Sequence, residues 1–166
     1  DVAINGEGFF VVLSPQGDEA YTRAGDLHLD ANGFLVNGAG HQVMGNGGPV
    51  ALPPFDKVDI GKDGTISVRP LGAAAEELVV IDRLRLVQPD LQQLSKGTDG
   101  LFRLQEGAAP LDASIRVVPG ALESSNVNAV QALIEMVELS RHYETQVRMM
   151  RSADENAEQA QQLLSE

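Results

Sequence analysis

The chain contains no cysteine and no tryptophan in its 166 residues, and aromatic residues make up only 4% of it. The absence of cysteine excludes disulfide bonds, thiolate zinc sites and a cysteine nucleophile. The scarcity of aromatic side chains leaves Val, Leu, Ile and Ala to form the core, with few large anchors for a deep ligand pocket. The fold must therefore depend on aliphatic packing, for which a chain of this length suffices.

Positive charge is also scarce, since 12 Lys and Arg residues stand against 24 Asp and Glu residues and give a net charge of −12. Such a chain repels phosphates and anionic surfaces, which argues against nucleic acid as a partner. There is no apolar run of membrane-spanning length and no signal-peptide pattern, so membrane insertion is not expected. Because Asp1 opens directly into a strand-like run, we expect the chain to be a piece of a longer protein.

Glycine and proline are absent from the end of the chain, because all 17 glycines and all 8 prolines lie before residue 126. Without these residues the end of the chain has no turn signal, whereas the earlier part is punctuated by such signals throughout. This break in composition predicts two parts. Residues 1–125 are expected to form a β-rich core domain, and residues 126–166 a C-terminal assembly helix.

The first part has the pattern of antiparallel β-structure, with short apolar or alternating runs separated by Asn, Asp, Gly and Pro. We expect a mainly β body of about nine strands with Gly-rich loops, and no helices from which an α/β fold could be built. Hairpins are predicted at residues 15–18 and at Asn32-Gly33, the latter with a type I′ turn. LVVIDRLRLVQ is predicted to be one long strand, and GNGGPVALPPFD and RPLGAAAEE to be loops.

After Asn126 the apolar period changes to that of a helix. Steps of four and three residues, interrupted at Ser140, Asp154 and Gln161, predict one long C-terminal α-helix of coiled-coil type, about 57 Å long, with an interface stripe. The stripe consists of Ala129, Leu133, Met136, Tyr143, Val147, Met150, Ala157 and Leu164. Asn126 and Asn128 are candidate N-caps, and Asn128 followed by Gln131 resembles a capping box.

Catalytic and metal-binding patterns are weak in this sequence. Asp26, His28 and Asp30 would share one face of a strand and could act as ligands, but the solvated outer face of a hairpin is the simpler interpretation. The run GAGHQVMGNGG lacks the Lys-Ser/Thr ending of a phosphate-binding loop. The chain is therefore predicted to have no catalytic residues, no metal site and no cofactor, and not to be an enzyme.

Several strings resemble a known family. DVAINGEGFFVV, YTRAG, LHLDANGFLVN and DGTISV resemble the core opening of the bacterial flagellar rod and hook family, the axial proteins of the basal body. SIRVVPGALESSNVNAVQALIEMVELSRHYETQVRMM resembles the C-terminal signature of the family's rod members, closest to that of a proximal-rod member. The resemblance covers essentially the whole chain. One departure is that family members begin with a helix containing an Ala-Asn-Asn-Leu-Ala-Asn-like motif, which is missing here.

The resemblance implies a structural subunit that is exported through the flagellar type III apparatus and assembles in the periplasm into a rod that transmits torque. Its partners would be other rod subunits, contacted through terminal helices that form an inner tube in the family. Because the N-terminal mate is missing, self-association through the C-terminal helix is a further expectation. Two alternatives come from other classes: a secreted β-rich module that binds cell-wall glycan and is tethered by its helix, and a hydrolase that uses Asp26, His28 and Asp30.

Overall fold

A computed structural model describes residues 1–74 and 77–163, with only the backbone described for residues 157–163. The chain divides into two compact units, Asp1–Glu123 and Ser124–Glu166. The roles assigned to residues 1–125 and 126–166, core domain and assembly helix, stay predictions. Among the described residues, no helix combines the length and the apolar character needed to cross a membrane.

In its described residues, the first unit forms fourteen strands and one turn of 3-10 helix, Leu91–Gln93. The strands are β1 (Val2–Asn5), β2 (Phe9–Leu13), β3 (Glu19–Thr22), β4 (His28–Leu29), β5 (Leu35–Val36), β6 (Met44–Gly45), β7 (Gly48–Pro49), β8 (Phe55–Ile60), β9 (Thr65–Pro70), β10 (Val79–Arg83), β11 (Leu86–Val87), β12 (Leu94–Lys96), β13 (Phe102–Leu104) and β14 (Arg116–Pro119). The described residues of the second unit form one helix, α1 (Ala129–Leu163). The predicted class, mainly antiparallel β with one C-terminal helix, is confirmed.

The strands form small sheets, and each pairing between them is antiparallel. A five-stranded sheet has the order β11-β2-β3-β13-β12, and a three-stranded sheet the order β10-β9-β8. Two-stranded sheets join β1 to β14, β4 to β5 and β6 to β7. The β1–β14 pair brings Val2 opposite Pro119, so the two ends of the first unit are hydrogen-bonded together.

The strand β2 organises the core because both of its faces are buried. Phe10 and Val12 face the larger apolar cluster, whereas Phe9 and Val11 face a second, smaller one. The continuous apolar run FFVVL fits this position, since a strand covered on both sides has no face that must be polar. Tyr21 on the neighbouring strand is 2% exposed, and its hydroxyl accepts a hydrogen bond from the backbone N–H of Ala109 at 2.9 Å.

Both predicted hairpins are present, but the prediction of a type I′ turn at Asn32-Gly33 is wrong. Gly33 has a φ of +84°, whereas no described residue other than glycine has positive φ, so Asn32 cannot supply the second positive φ of that turn. The Asp30 carboxylate instead accepts the backbone N–H groups of Asn32 and Phe34, both at 2.8 Å. A short acidic side chain therefore shapes this turn in place of two left-handed residues.

The number of strands and two of their assignments differ from the prediction of about nine. LVVIDRLRLVQ is divided between β10 in the three-stranded sheet and β11 in the five-stranded sheet. At its middle, the Asp82 carboxylate accepts the backbone N–H groups of Asn46 and Gly47, at 3.2 and 3.3 Å, which ties this run to the β6–β7 turn. Part of the predicted loop GNGGPVALPPFD forms β7 and the start of β8. β8 lies at a sheet edge, where its polar residues remain exposed.

A candidate assembly helix

The helix α1 begins at Ala129, and of the two candidate caps, Asn126 and Asn128, it is Asn128 that caps it. The Oδ1 atom of Asn128 accepts the backbone N–H groups of Val130 at 3.0 Å and Gln131 at 3.4 Å. Its carbonyl oxygen accepts the N–H of Ala132 at 3.0 Å, which is the first helical hydrogen bond. The capping box is only half formed, since the Gln131 amide donates to Glu135 at 3.3 Å instead of turning back to Asn128.

Replacing Asn128 by alanine should loosen the first turn of α1. The lost cap bonds cost about 1 kcal/mol, so hydrogen exchange of the amides of residues 130–133 should become about fivefold faster. Exchange measured by NMR would show this. The matched control is Asn126→Ala, because Asn126 makes no side-chain hydrogen bond within the described residues. Equal acceleration in both variants would mean that the cap has no special role.

The helix is one continuous element of 35 residues, as the absence of Gly and Pro predicted. At 1.5 Å per residue it is about 52 Å long, far longer than a helix that one small domain can cover. Whether it forms a coiled coil is not tested by a single helix, and the coiled-coil type stays a prediction.

Much of the stripe predicted to be an interface is exposed. Leu133, Met136, Tyr143 and Met150 are each between 56% and 68% exposed, Ala129 is exposed, and Val147 is half-buried. The side chain of Ala157 and the whole of Leu164 lie outside the described residues. Large apolar side chains at this exposure mark a surface that normally acquires a partner.

The first half of the helix carries more exposed apolar side chains than the stripe alone. Val130, Ile134, Val137 and Leu139 are between 52% and 72% exposed. At 100° per residue, Val130, Ile134 and Val137 lie on a face roughly 100° away from the stripe. These apolar residues are visible in the sequence. The second face was not predicted because only the residues at heptad spacing were assigned to the interface. The two faces together cover more than half of the helix surface here.

The three residues considered as metal ligands have other roles. Asp26 lies against Gly38, where an added Cβ would meet its Oδ2 atom at 1.7 Å. Asp30 forms the hairpin turn, and hydrogen bonds from the backbone N–H groups of Phe34 and Asn32 lower the pKa of its carboxyl. His28 is exposed on β4. Within residues 1–74 and 77–156, no three His, Cys, Asp or Glu side chains are grouped so that they could hold a metal ion.

The aromatic rings that a glycan-binding module would need for stacking are mostly used in packing. Phe10 is fully buried, and the rings of Phe9 and Phe102 meet edge to face with centroids 5.5 Å apart. The side chain of Phe9 is itself 7% exposed. These rings stabilise the two core clusters and do not form a flat platform for a sugar.

Comparison with known families gives two matches along the chain. Residues 3–68 match the model of the flagellar hook protein FlgE/F/G D1 domain. Residues 118–163 match the model of the C-terminal region of the flagellar basal body rod FlgEFG proteins. The second match begins within β14 and continues through the described part of α1.

Curated relatives match over nearly the full length of the chain. The flagellar basal-body rod protein FlgF of Escherichia coli is 40% identical over 99% of this chain and 68% of the relative. The FlgF protein of Salmonella typhimurium is 38% identical over the same shares. A FlgG rod protein of Buchnera aphidicola is 32% identical over 98% of this chain and 64% of the relative.

Proposed function

The chain belongs to the flagellar hook and basal-body rod protein family, and on that premise we propose that it is a structural subunit of the proximal rod, which transmits torque from the motor to the hook. The observation that carries this proposal is the 40% identity to a basal-body rod protein over 99% of the chain. Its place in the cell is then the flagellar basal body, and its role is mechanical. A structural role needs no catalytic residues, in agreement with the weak catalytic patterns of the sequence.

The surface through which the subunit joins its neighbours is the stripe on α1. Its members are Ala129, Leu133, Met136, Tyr143, Val147, Met150, Ala157 and Leu164. The exposure of its large side chains supports this assignment, because packing them against another helix removes apolar surface from water at roughly 25 cal/mol per Å². Contacts of this kind between unlike surfaces build an open helical array, which is the symmetry of a rod.

The second apolar face suggests that the first half of α1 packs between two neighbours. Val130, Ile134 and Val137 stand beside the stripe, so one partner helix could not cover both faces. The partners are terminal helices of other rod subunits, which reach the periplasm through the flagellar type III apparatus. Where no such helix is available, a second copy of α1 is the expected substitute.

Purified basal bodies test the proposal. Rods isolated from the native organism, stripped of membrane and analysed by mass spectrometry, should contain this chain. In cells that lack a working flagellar export apparatus, the chain should stay inside the cell. Recovery of the chain only in the free periplasmic fraction, alongside complete rods that do not contain it, would reject the rod assignment.

A further inference from the structure

Arg23 connects three segments of the first unit at the end of β3. Its Nε atom donates to both carboxylate oxygens of Glu123, at 3.0 and 2.8 Å. Its Nη1 atom donates to the carbonyl oxygen of Gly8 at 2.8 Å, and its Nη2 atom to that of Gly6 at 3.1 Å. The guanidinium carbon lies 5.9 Å from the centre of the Phe9 ring. One side chain thus joins β3, the turn before β2 and the segment after β14.

The turn that offers the two carbonyl groups depends on glycine. Gly6 has a φ of +93° and Gly8 a φ of +139°, in the region that L side chains rarely adopt. An added Cβ at Gly8 would also lie 2.8 Å from Cδ1 of Ile115. The turn is therefore shaped by its own backbone, and it holds the Arg23 guanidinium in position whether or not Glu123 is bound.

Glu123 is the last anchor of the chain before the helix. Upstream of it, the N–H of Gly120 donates to the carbonyl oxygen of Asp1 at 2.9 Å. Within the described residues, the bonds to Arg23 alone tie residues 121–123 to the rest of the first unit by hydrogen bonding. Leu122 is 54% exposed and Ala121 is half-buried, so apolar packing holds this segment only weakly.

We propose that Arg23 is a latch that sets the point at which the chain leaves the first unit. When the latch is closed, the connection to the Asn128 cap consists of residues 124–128, which extend over at most about 17 Å. When it is open, the connection starts after Gly120 and extends over about 27 Å. Closure therefore shortens the tether of the assembly helix by about 10 Å.

The latch depends on a weak ion pair. The side chains of Arg23 and Glu123 are 29% and 42% exposed, and ion pairs at this exposure shift an equilibrium by a factor of about 2–5. The ion pair holds the exit segment most of the time, and its opening lengthens the connection to α1. The inference stands on the contacts of the first unit alone and does not depend on the rod function.

Replacing Glu123 by alanine in the full chain tests the latch. Order parameters of the backbone amides, measured by NMR relaxation, should fall at residues 121–124 towards the flexible range below about 0.6, while those of β2 stay near 0.85. The matched control is Asp99→Ala, which removes an ion pair of similar exposure, the 2.6 Å Asp99–Arg103 pair of the β12–β13 hairpin. This control should leave the order parameters of residues 121–124 unchanged.

A second variant separates a latch from general loosening of the fold. Arg23→Gln should mobilise residues 121–124 to the same degree, because it removes the same ion pair from its other end, and should leave the self-supporting turn Gly6–Gly8 ordered. Equal order parameters at residues 121–124 in the wild type and both variants would overturn the proposal. Loss of order throughout the β-strands in Glu123→Ala would also overturn it, since the ion pair would then stabilise the fold and not the exit point.

Discussion

Replacing Leu133 and Tyr143 together by glutamate should reduce incorporation of the subunit into rods at least roughly 100-fold, with loss of swimming. Both side chains lie on the proposed stripe, where they are 56% and 68% exposed in the free chain. Assembly would bury each new carboxylate against apolar side chains, at a cost of at least a few kcal/mol. Every 1.4 kcal/mol changes an association constant tenfold, which gives the expected magnitude.

The measurement is the amount of the variant in purified basal bodies, with full-length protein expressed from the native locus. The matched control is Gln131→Glu with His142→Glu, which adds the same two negative charges to exposed positions roughly opposite the stripe. The control should assemble normally, and circular dichroism should show the same β-signal in all three proteins. Normal incorporation of the stripe variant, or equal failure of the control, would show that the stripe is not the assembly interface.

Replacing Gly25 by alanine should destabilise the first unit by about 3 kcal/mol or more, and lower its Tm by about 10 °C. Gly25 is buried, and an added Cβ would lie 1.7 Å from the carbonyl oxygen of Val2 and 3.2 Å from Cε2 of Phe10. The carbonyl of Gly25 also accepts the N–H of Val2 at 2.8 Å, so β1 cannot move away without losing this bond. Because β1 pairs with β14, the strain would reach both ends of the unit.

Thermal unfolding followed by circular dichroism would measure this effect. Gly47→Ala is the matched control, since an added Cβ there would lie 3.5 Å from Oδ2 of Asp82, which is ordinary van der Waals contact. The free energy of unfolding of the control should stay within about 0.5 kcal/mol of that of the wild type. Any increase in stability would come partly from the less flexible unfolded chain. If both variants unfold at the same temperature, the close approach of Gly25 to Val2 is not a constraint on the fold.

Local chemistry explains why several elements could be predicted from the sequence. The hairpin between β2 and β3 follows from the turn residues 15–18, where Gly17 has a φ of +91°. The Asn128 cap needs only a short side chain that reaches the N–H groups two and three residues ahead. The continuity of α1 follows from the absence of Gly and Pro. In each case the interacting groups lie close together in the sequence, so the sequence pattern is enough to predict the contacts that the structure contains.

The wrong predictions fall where distant segments decide the outcome. LVVIDRLRLVQ has the composition of one strand, but Asp82 holds the β6–β7 turn, and the run changes sheets between Arg83 and Leu86. The strand β8 was not predicted, because its polar residues obscure the alternating apolar pattern of a strand. It forms a strand because it pairs with β9 through hydrogen bonds. The Arg23–Glu123 pair joins residues 100 positions apart and has no local signature.

The sequence by itself determined the class of the fold, the continuous helix with its apolar stripe, and the family, because each of these depends on composition, period or a string of neighbouring residues. Tertiary structure alone decided which strands pair, why Gly25 must lack a side chain, and where the chain is anchored before the helix. The physical reason is that these features depend on contacts between residues far apart in the chain. Such contacts are specified by the packed fold as a whole and leave no periodic pattern in the sequence.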